Sequence, residues 1–383
     1  MNKKQTILLT IAIVLIAGSM RTPLTAVGPI AGNISRNLGI GNGAAGFLTT
    51  IPLLVFAVSS FAVGRLERRF GNGSLLACGM VFLIIGIICR SYGSVITLYA
   101  GTVILGMGIS FANVLIPSVV KANFPARVGL MTGIYTTTMS ITAGISGAIS
   151  VPMATLFGWK KSLLIWVLIA ALALIAWIPH IHSGKAVNLR GSGKQRTLLR
   201  YSMTWYITAF MGIQSLVFYC LVTWLPSILQ SYGFSAEAAG SYLSVYLFIG
   251  ILGSLPLTAL LGHARDLRLP GFLVGAIQVV GLAALFFHSG HIGPAITAVC
   301  CGIGQGACVT YAMAQFALHT KDAADAALLS GFAQSLGYLF AAFAPALLGS
   351  IFDIQGSWTL PIVILLVLTV LLTVLGLLTG RIV

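Results

Sequence analysis

Residues 5–30 read QTILLTIAIVLIAGSMRTPLTAVGPI, and this stretch decides the class of fold. It is long enough to cross the apolar core of a bilayer as a helix, and Arg21 is its only charged side chain. A guanidinium in hydrocarbon costs at least a few kcal/mol, so it requires a protein or aqueous reason to be there. Pro23, Gly28 and Pro29 follow, which bend the helix and free backbone carbonyls. The stretch therefore predicts a membrane span with an anion-binding side chain inside it.

The composition supports the same class for the whole chain. Of its 383 residues, 58% are hydrophobic and only 7% are charged, which is typical of an integral membrane protein. The net charge of +15 does not indicate nucleic-acid binding, because the lysines and arginines lie between apolar runs, as helix flanks do. The first apolar run is too long for a signal peptide, and no small-residue cleavage site follows a short core, so we expect an uncleaved first helix.

Twelve apolar runs are long enough to span a bilayer as helices. They cover residues 6–30, 43–64, 74–91, 94–118, 128–151, 161–180, 202–229, 238–261, 269–287, 292–317, 325–350 and 358–380. The sequence therefore predicts an all-α integral membrane protein with twelve transmembrane helices.

The distribution of basic residues predicts the orientation. With a cytoplasmic N-terminus, the outside segments hold only Arg36, Arg90, Lys160 and Lys161, and sixteen lysines and arginines fall inside. This positive-inside bias predicts that both termini are cytoplasmic, as an even number of spans requires. We expect the chain in a bacterial inner membrane.

The chain divides into three parts by composition. A polar stretch rich in Gly, Ser, Lys and Arg separates six runs from six, and we interpret residues 183–200 as a cytoplasmic linker. The predicted six-helix halves are residues 1–182 and residues 201–383.

The two halves resemble each other at a shift of about 195–199 residues, which indicates a duplication. Arg127–Gly133 (RVGLMTG) opens the fifth run and Asp325–Gly331 (DAALLSG) opens the eleventh. Gly64 and Gly262 stand at equivalent ends of the second and eighth runs. The alternative is chance similarity between apolar segments.

Two six-helix halves joined by a basic loop resemble the major facilitator superfamily. That family carries a loop signature after its second helix and a version after its eighth, and both are found here as residues 64–71 (GRLERRFG) and 262–266 (GHARD). The resemblance implies gating roles for Gly64, Arg68, Gly71, Gly262 and Asp266. Arg68 stands where the family usually has Asp, which puts the usual gating salt bridge of the first half in doubt.

A closer resemblance is to the cyanate and 2-nitroimidazole transporter branch. It rests on residues 21–29 (RTPLTAVGP), residues 212–219 (GIQSLVFY) with 224–226 (WLP), and residues 125–133 (PARVGLMTG). Pro23 lies one place later than that branch usually has it. The resemblance implies transport of small anionic, nitro- or cyano-type solutes by alternating access.

Arg21 is the first candidate substrate ligand. Its planar fork can donate two parallel hydrogen bonds to a carboxylate, nitro group or cyanate. The alternative is a structural arginine, but no Asp or Glu lies within a predicted span except Glu237 and Asp353 near outer ends.

Gln214 is the second candidate, because Arg21 falls level with it at the repeat shift and the family places the first and seventh helices on opposite sides of the cavity. Mid-span polar residues complete the set: Thr25, Asn113, Tyr135, Gln305, Tyr311, Gln334 and Tyr338. Each has a structural alternative, since amides join membrane helices and aromatic residues pack in bundles.

The remaining residues limit the chemistry. The six histidines lie at helix ends or in loops, and the six cysteines offer no metal-binding spacing, so we expect no cofactor and no metal. Without a mid-span carboxylate, we predict that no protein carboxylate drives transport. We expect a monomer whose partners are a small solute and the bilayer.

Three functions compete at this point. The first is a secondary carrier for small organic anions, and the second is an exporter of neutral drugs from the same superfamily. The third, a membrane enzyme, lacks a catalytic cluster of His, Asp or Cys in its loops.

Overall fold

The computed structural model describes residues 3–40, 42–181, 200–263, 266–287 and 290–381, and these residues are almost entirely helical. The first eight helices are α1 (Lys3–Thr25), α2 (Ala31–Leu38), α3 (Asn42–Phe70), α4 (Asn72–Arg90), α5 (Val95–Asn123), α6 (Val128–Phe157), α7 (Trp159–Leu164) and α8 (Val167–Trp177). The next seven are α9 (Ser202–Ser231), α10 (Ala236–Ile249), α11 (Ile251–His263), α12 (Arg268–Ala283), α13 (Ile292–Leu318), α14 (Ala323–Gln355) and α15 (Thr359–Thr379).

Twelve helical segments of the described chain are long and apolar enough to cross a membrane, which confirms the predicted fold class. Two of them include two α-helices each: α7 and α8 lie in the sixth span, and α10 and α11 lie in the eighth. The second span differs from its prediction, because it reaches Glu67 and α3 continues to Phe70. The apolar run ends earlier than the helix does, since charged residues can continue a helix beyond the hydrocarbon.

Glycine and serine set several helix starts. Gly71 and Gly158 precede α4 and α7 with φ of 76° and 80°, a backbone region that side chains with a Cβ rarely adopt. Ser94 begins α5 with a reciprocal cap, in which its hydroxyl accepts from the Thr97 N–H and the Thr97 hydroxyl accepts from the Ser94 N–H. The turns are therefore encoded locally.

The chain forms two compact units, which differ from the predicted halves in two segments. Unit 1 contains residues 1–125, 138–193 and 321–335, and unit 2 contains residues 126–137, 194–320 and 336–383. The first part of α6 thus belongs to unit 2, and the first part of α14 belongs to unit 1. Of the predicted linker at 183–200, all but Arg200 lies outside the described residues.

Unit 1 is organised around the contact of α4 with α5. Gly86 of α4 lies against the backbone of Leu105, and Gly101 of α5 lies against the backbone of Arg90, where an added Cβ would overlap those atoms. Because glycine has no side chain, the two helix backbones can touch, as they do at small residues in membrane bundles. Helix α3 packs on α5, and α8 packs on both α1 and α4.

Unit 2 is built on α9, α10, α12, α13 and α15. Its apolar core includes Leu221, Leu225, Tyr246, Leu285 and Ile362, all of them buried. Helix α12 packs on α13 and on α15. Close packing of apolar side chains around α9 holds the segment that carries Gln214.

Candidate substrate site

Arg21 lies in the last part of α1, two residues before Pro23, and its side chain is half-buried. Among the described residues its guanidinium has no hydrogen bond, ion pair or ring contact. Its backbone carbonyl accepts from the Thr25 hydroxyl at 2.9 Å. The guanidinium therefore keeps its donors for another group.

Thr25 fixes the end of α1. Besides donating to the Arg21 carbonyl, its hydroxyl shares a short hydrogen bond with the Ser146 hydroxyl on α6. The predicted site residue Thr25 thus joins two helices of unit 1, one turn beyond Arg21. In this position it orients the backbone that carries the arginine.

Gln214 and Gln305 meet in unit 2. Gln305 Nε2 donates to Gln214 Oε1 at 3.0 Å, and Gln214 Nε2 donates to the Ser215 hydroxyl at 2.8 Å. Both amides are buried, and Gln305 Oε1 has no hydrogen-bond partner among the described residues. The pair therefore offers one buried acceptor, and a concerted rotation of both amides would offer a donor in its place.

Asn113 and Gln334 are also brought together, in unit 1. Gln334 Nε2 donates to the Asn113 backbone carbonyl at 3.0 Å and to the Ser330 hydroxyl at 2.8 Å. Gln334 is fully buried, so its amide donors join α14 to α5. This contact matches the helix-joining alternative considered for mid-span amides.

The predicted tyrosines fall into two groups. Tyr135 and Tyr338 are both buried in unit 2 and lie close enough to interact electrostatically. Tyr311 instead donates from its hydroxyl to the Gly376 carbonyl at 2.9 Å, and its ring lies 5.2 Å from that of Phe210. The Tyr311 hydroxyl therefore joins α13 to α15.

The predicted gating residues are partly described. An added Cβ on Gly64 would lie 2.9 Å from the Ala327 carbonyl oxygen, so α3 approaches the start of α14 closely in unit 1. Asp266 is exposed, and its carboxylate accepts from the Arg268 N–H at 2.9 Å. Gly71 makes the turn before α4, and Gly262 lies within α11. The Arg68 side chain lies outside the described part of the chain.

Two charged residues are buried that the sequence did not predict to be buried. Glu67 is 4% exposed and accepts from the Ser118 hydroxyl on α5 at 3.1 Å. Arg90 is 1% exposed and donates to the Pro23 carbonyl at 2.7 Å, although its position predicted an outside loop. Arg90 directly follows an apolar run, a position that does not separate a buried charge from an exposed one.

The described residues contain no group of three or more His, Cys, Asp or Glu side chains that could hold a metal ion. The cysteines Cys78, Cys89, Cys220, Cys300, Cys301 and Cys308 are free thiols. The structure therefore has two polar centres. Arg21 in unit 1 offers charge, and the Gln214–Gln305 pair in unit 2 offers hydrogen bonding.

A family model described as Major Facilitator Superfamily matches residues 8–345. The chain belongs to the Major Facilitator Superfamily. It is accordingly a membrane transporter and not an enzyme. The predicted resemblance to this family is confirmed.

Two relatives are similar over nearly their whole lengths. The 2-nitroimidazole transporter of Escherichia coli is 36% identical over 385 residues, which cover 100% of this chain and 97% of the relative. The cyanate transport protein CynX of Escherichia coli is 25% identical over 351 residues, covering 91% of each chain. Relatives of both kinds named in the predicted resemblance, a 2-nitroimidazole transporter and a cyanate transporter, are therefore found.

A solved structure has the same fold. The crystal structure of a variant of the fucose:proton symporter FucP of Escherichia coli matches with a TM-score of 0.77 and covers 98% of each chain, at 13% sequence identity. At that identity the likeness concerns the fold alone. It agrees with the twelve spans.

Proposed function

We propose that this protein carries a small organic solute, an anion or a nitro- or cyanate-type compound, across the bacterial inner membrane by alternating access. Both termini lie in the cytoplasm, as the positive-inside bias of the sequence indicates. The relatives named for 2-nitroimidazole and cyanate support this substrate class. Both compounds are small and rich in hydrogen-bond acceptors.

The observation that carries the proposal is the free guanidinium of Arg21. It lies within a candidate span, half-buried, and no described residue pairs with it. An intramembrane charge of this kind is expected at a substrate or ion pathway. Because arginine stays protonated at any physiological pH, Arg21 favours a solute with negative charge or strong acceptors.

The glutamine pair is the candidate solute contact within unit 2. Gln305 Oε1 is a buried acceptor without a described partner, and the Gln214 amide holds Gln305 in place. A directional hydrogen bond of this kind discriminates solutes by the position of their donors and acceptors. We therefore assign charge selection to Arg21 and hydrogen-bond selection to the pair.

Transport in this proposal uses no protein carboxylate as a proton carrier. Glu67 is the one buried carboxylate among the side chains that the structure describes, and it lies at the last turns of α3, bonded by Ser118. We assign it a structural role. Proton uptake in strict ratio to a permanently charged solute would contradict this assignment.

A thermal-shift screen followed by transport in proteoliposomes tests the function. Purified protein is heated with 2-nitroimidazole, cyanate, nitrite and 4-hydroxybenzoate, because a ligand that binds the folded state raises Tm by an amount that grows with the logarithm of its concentration above Kd. Arg21→Ala should abolish the shift given by an active solute, and Arg36→Gln should keep it, since Arg36 is exposed. An exporter of neutral compounds would keep its shift and its transport in Arg21→Ala.

A further inference from the structure

Arg90 is a buried cation that substrate binding at Arg21 does not use. It ends α4, and its side chain is 1% exposed. Nη1 donates to the Pro23 carbonyl at 2.7 Å, whereas Nε and Nη2 are buried and have no hydrogen-bond partner among the described residues. Two donor nitrogens of the Arg90 guanidinium are therefore buried without a described acceptor.

No described carboxylate of unit 1 can neutralise Arg90. These carboxylates are Glu67, before the start of α4, and Asp322 and Asp325, at the start of α14 beside Gly64. Helix α4 has 19 residues, so its two ends are separated by about 27 Å at the helical rise. A buried charge at that distance from every described carboxylate of its own unit is costly unless an ion or a hydrogen-bonding ligand accompanies it.

Further unpaired polar groups lie at the same depth. Gly18 of α1 lies against Ile169 of α8. From this contact, helix α1 runs toward the end of α4 with increasing residue number. Helix α8 runs toward it with decreasing residue number. Thr22 is four residues beyond Gly18, and Trp166 is three residues before Ile169, so they lie within about 2 Å of the same level at the helical rise. Thr22 Oγ1 and Trp166 Nε1 are both buried without a described hydrogen-bond partner.

These groups form a set of donors. Arg90 and Trp166 can only donate, and a hydroxyl such as that of Thr22 can donate. They belong to α4, α8 and α1 in unit 1, where α8 packs on both of the other helices and the Arg90–Pro23 hydrogen bond joins α4 to α1. Donors without acceptors in an apolar surrounding fit a small anion, which accepts from several directions at once.

We propose that Arg90, with Thr22 and Trp166, binds a small inorganic anion of halide type where α1, α4 and α8 meet. The anion neutralises the guanidinium and holds α4 to the Pro23 segment of α1. This site is distinct from Arg21, because it lies on a different side chain and needs no transported solute. Since Pro23 is two residues from Arg21, occupancy of the anion site also affects the helix that carries the substrate ligand.

The test is the chloride dependence of Tm for the purified full-length protein, with gluconate replacing chloride at constant ionic strength. We expect Tm to rise by roughly 2 °C for each tenfold increase of chloride above its Kd. Arg90→Met should abolish this dependence, and Arg36→Gln should keep it, because Arg36 is an exposed arginine of the same unit. Bromide should replace chloride.

Two further variants keep the test decisive. If Arg90→Met does not fold, Thr22→Val removes one buried hydroxyl at nearly constant volume and should shift the chloride response to higher concentration. Arg21→Ala should lose the solute shift but keep the chloride response, which separates this site from the proposed substrate site. A wild-type Tm that does not change with chloride overturns the proposal and leaves Arg90 as a water-solvated cap of α1. A chloride response that survives in Arg90→Met also overturns it.

Discussion

Arg21 in α1 and Gln214 in α9 are the first two candidate substrate ligands, and their surroundings differ sharply. Arg21 is charged, half-buried and without a described side-chain partner, whereas Gln214 is neutral, buried and bonded to Gln305 and Ser215. A free charge attracts ligands at long range, and a paired amide selects them by direction. This difference underlies the proposed division of roles, with charge selection at Arg21 and hydrogen-bond selection at the glutamine pair.

The largest expected effect is on Arg21. Arg21→Ala should lower the transport rate of an anionic solute in proteoliposomes by about a hundredfold, because a charge-assisted bidentate hydrogen bond is lost. Arg21→Lys should be intermediate, since the charge remains but the fork is gone. Initial rates at several solute concentrations measure the effect, with Arg36→Gln as the control. Equal activity of the alanine variant and the wild type would remove Arg21 from the site.

A smaller effect is expected at the glutamine pair. Gln305→Leu should weaken solute affinity by about tenfold, because it removes one ligand and leaves the buried Gln214 Oε1 without its donor. The double variant with Gln214→Leu should lose less than the sum of the two single changes, since the two residues act as a unit. Thermal shifts measured over a range of solute concentrations give the solute affinity of the single and double variants.

The matched control for the pair is Gln334→Leu. It removes the buried amide that joins α14 to α5, so it should lower Tm without changing solute affinity. If the Gln214 and Gln305 losses prove additive, or if Gln334→Leu weakens the solute equally, the assigned role of the pair is wrong.

The stability of unit 2 should also depend on pH, through His319 at the end of α13. Burial lowers the pKa of His319, and the hydrogen bond to the Thr379 carbonyl opposes that effect. The unfolded state therefore binds the proton first, so stability is fully present above the usual pKa of about 6.5 and falls as the pH drops toward the lowered folded value. Wild-type Tm should fall about 1–2 °C more than that of His319→Gln between pH 7 and pH 5.5. Identical pH profiles of the wild type and His319→Gln would contradict this assignment.

The smallest expected effect concerns how tightly the helices pack near Arg21 and near Gln214. A Cβ on Gly18 would lie 3.1 Å from Ile169 Cδ1 and 3.2 Å from Thr142 Cγ2, whereas a Cβ on Gly212 would meet only the Gly337 Cα, at 3.4 Å. Gly212→Ala should therefore keep Tm within about 1 °C or raise it, because alanine favours the helix. Gly18→Ala should lower Tm by a degree or two and weaken solute binding slightly, as α1 shifts. A reversed order would show that α9 is the more tightly packed helix.

The fold was predictable because hydropathy and length act locally. All twelve spans were found, with errors confined to their ends, as where α3 continues past its apolar run to Phe70. The site was less predictable, because its contacts join residues far apart in the chain. The sequence indicated Gln214 and Gln305 separately, and only packing brings their amides within 3.0 Å. Arg90 shows the same limit, since a charge at the end of a run looks identical whether it faces water or Pro23.

The contact of α4 with α5 has a consequence for how this protein can diversify. At Gly86 and Gly101 the neighbouring backbone fills the space that any side chain would take. A saturation-mutagenesis map should therefore show an intolerant line along this seam, bordered by permissive lipid-facing positions such as Ile85 and Val103, which are exposed. New substrate preferences would then have to arise by changes elsewhere, on surfaces that still have room for them.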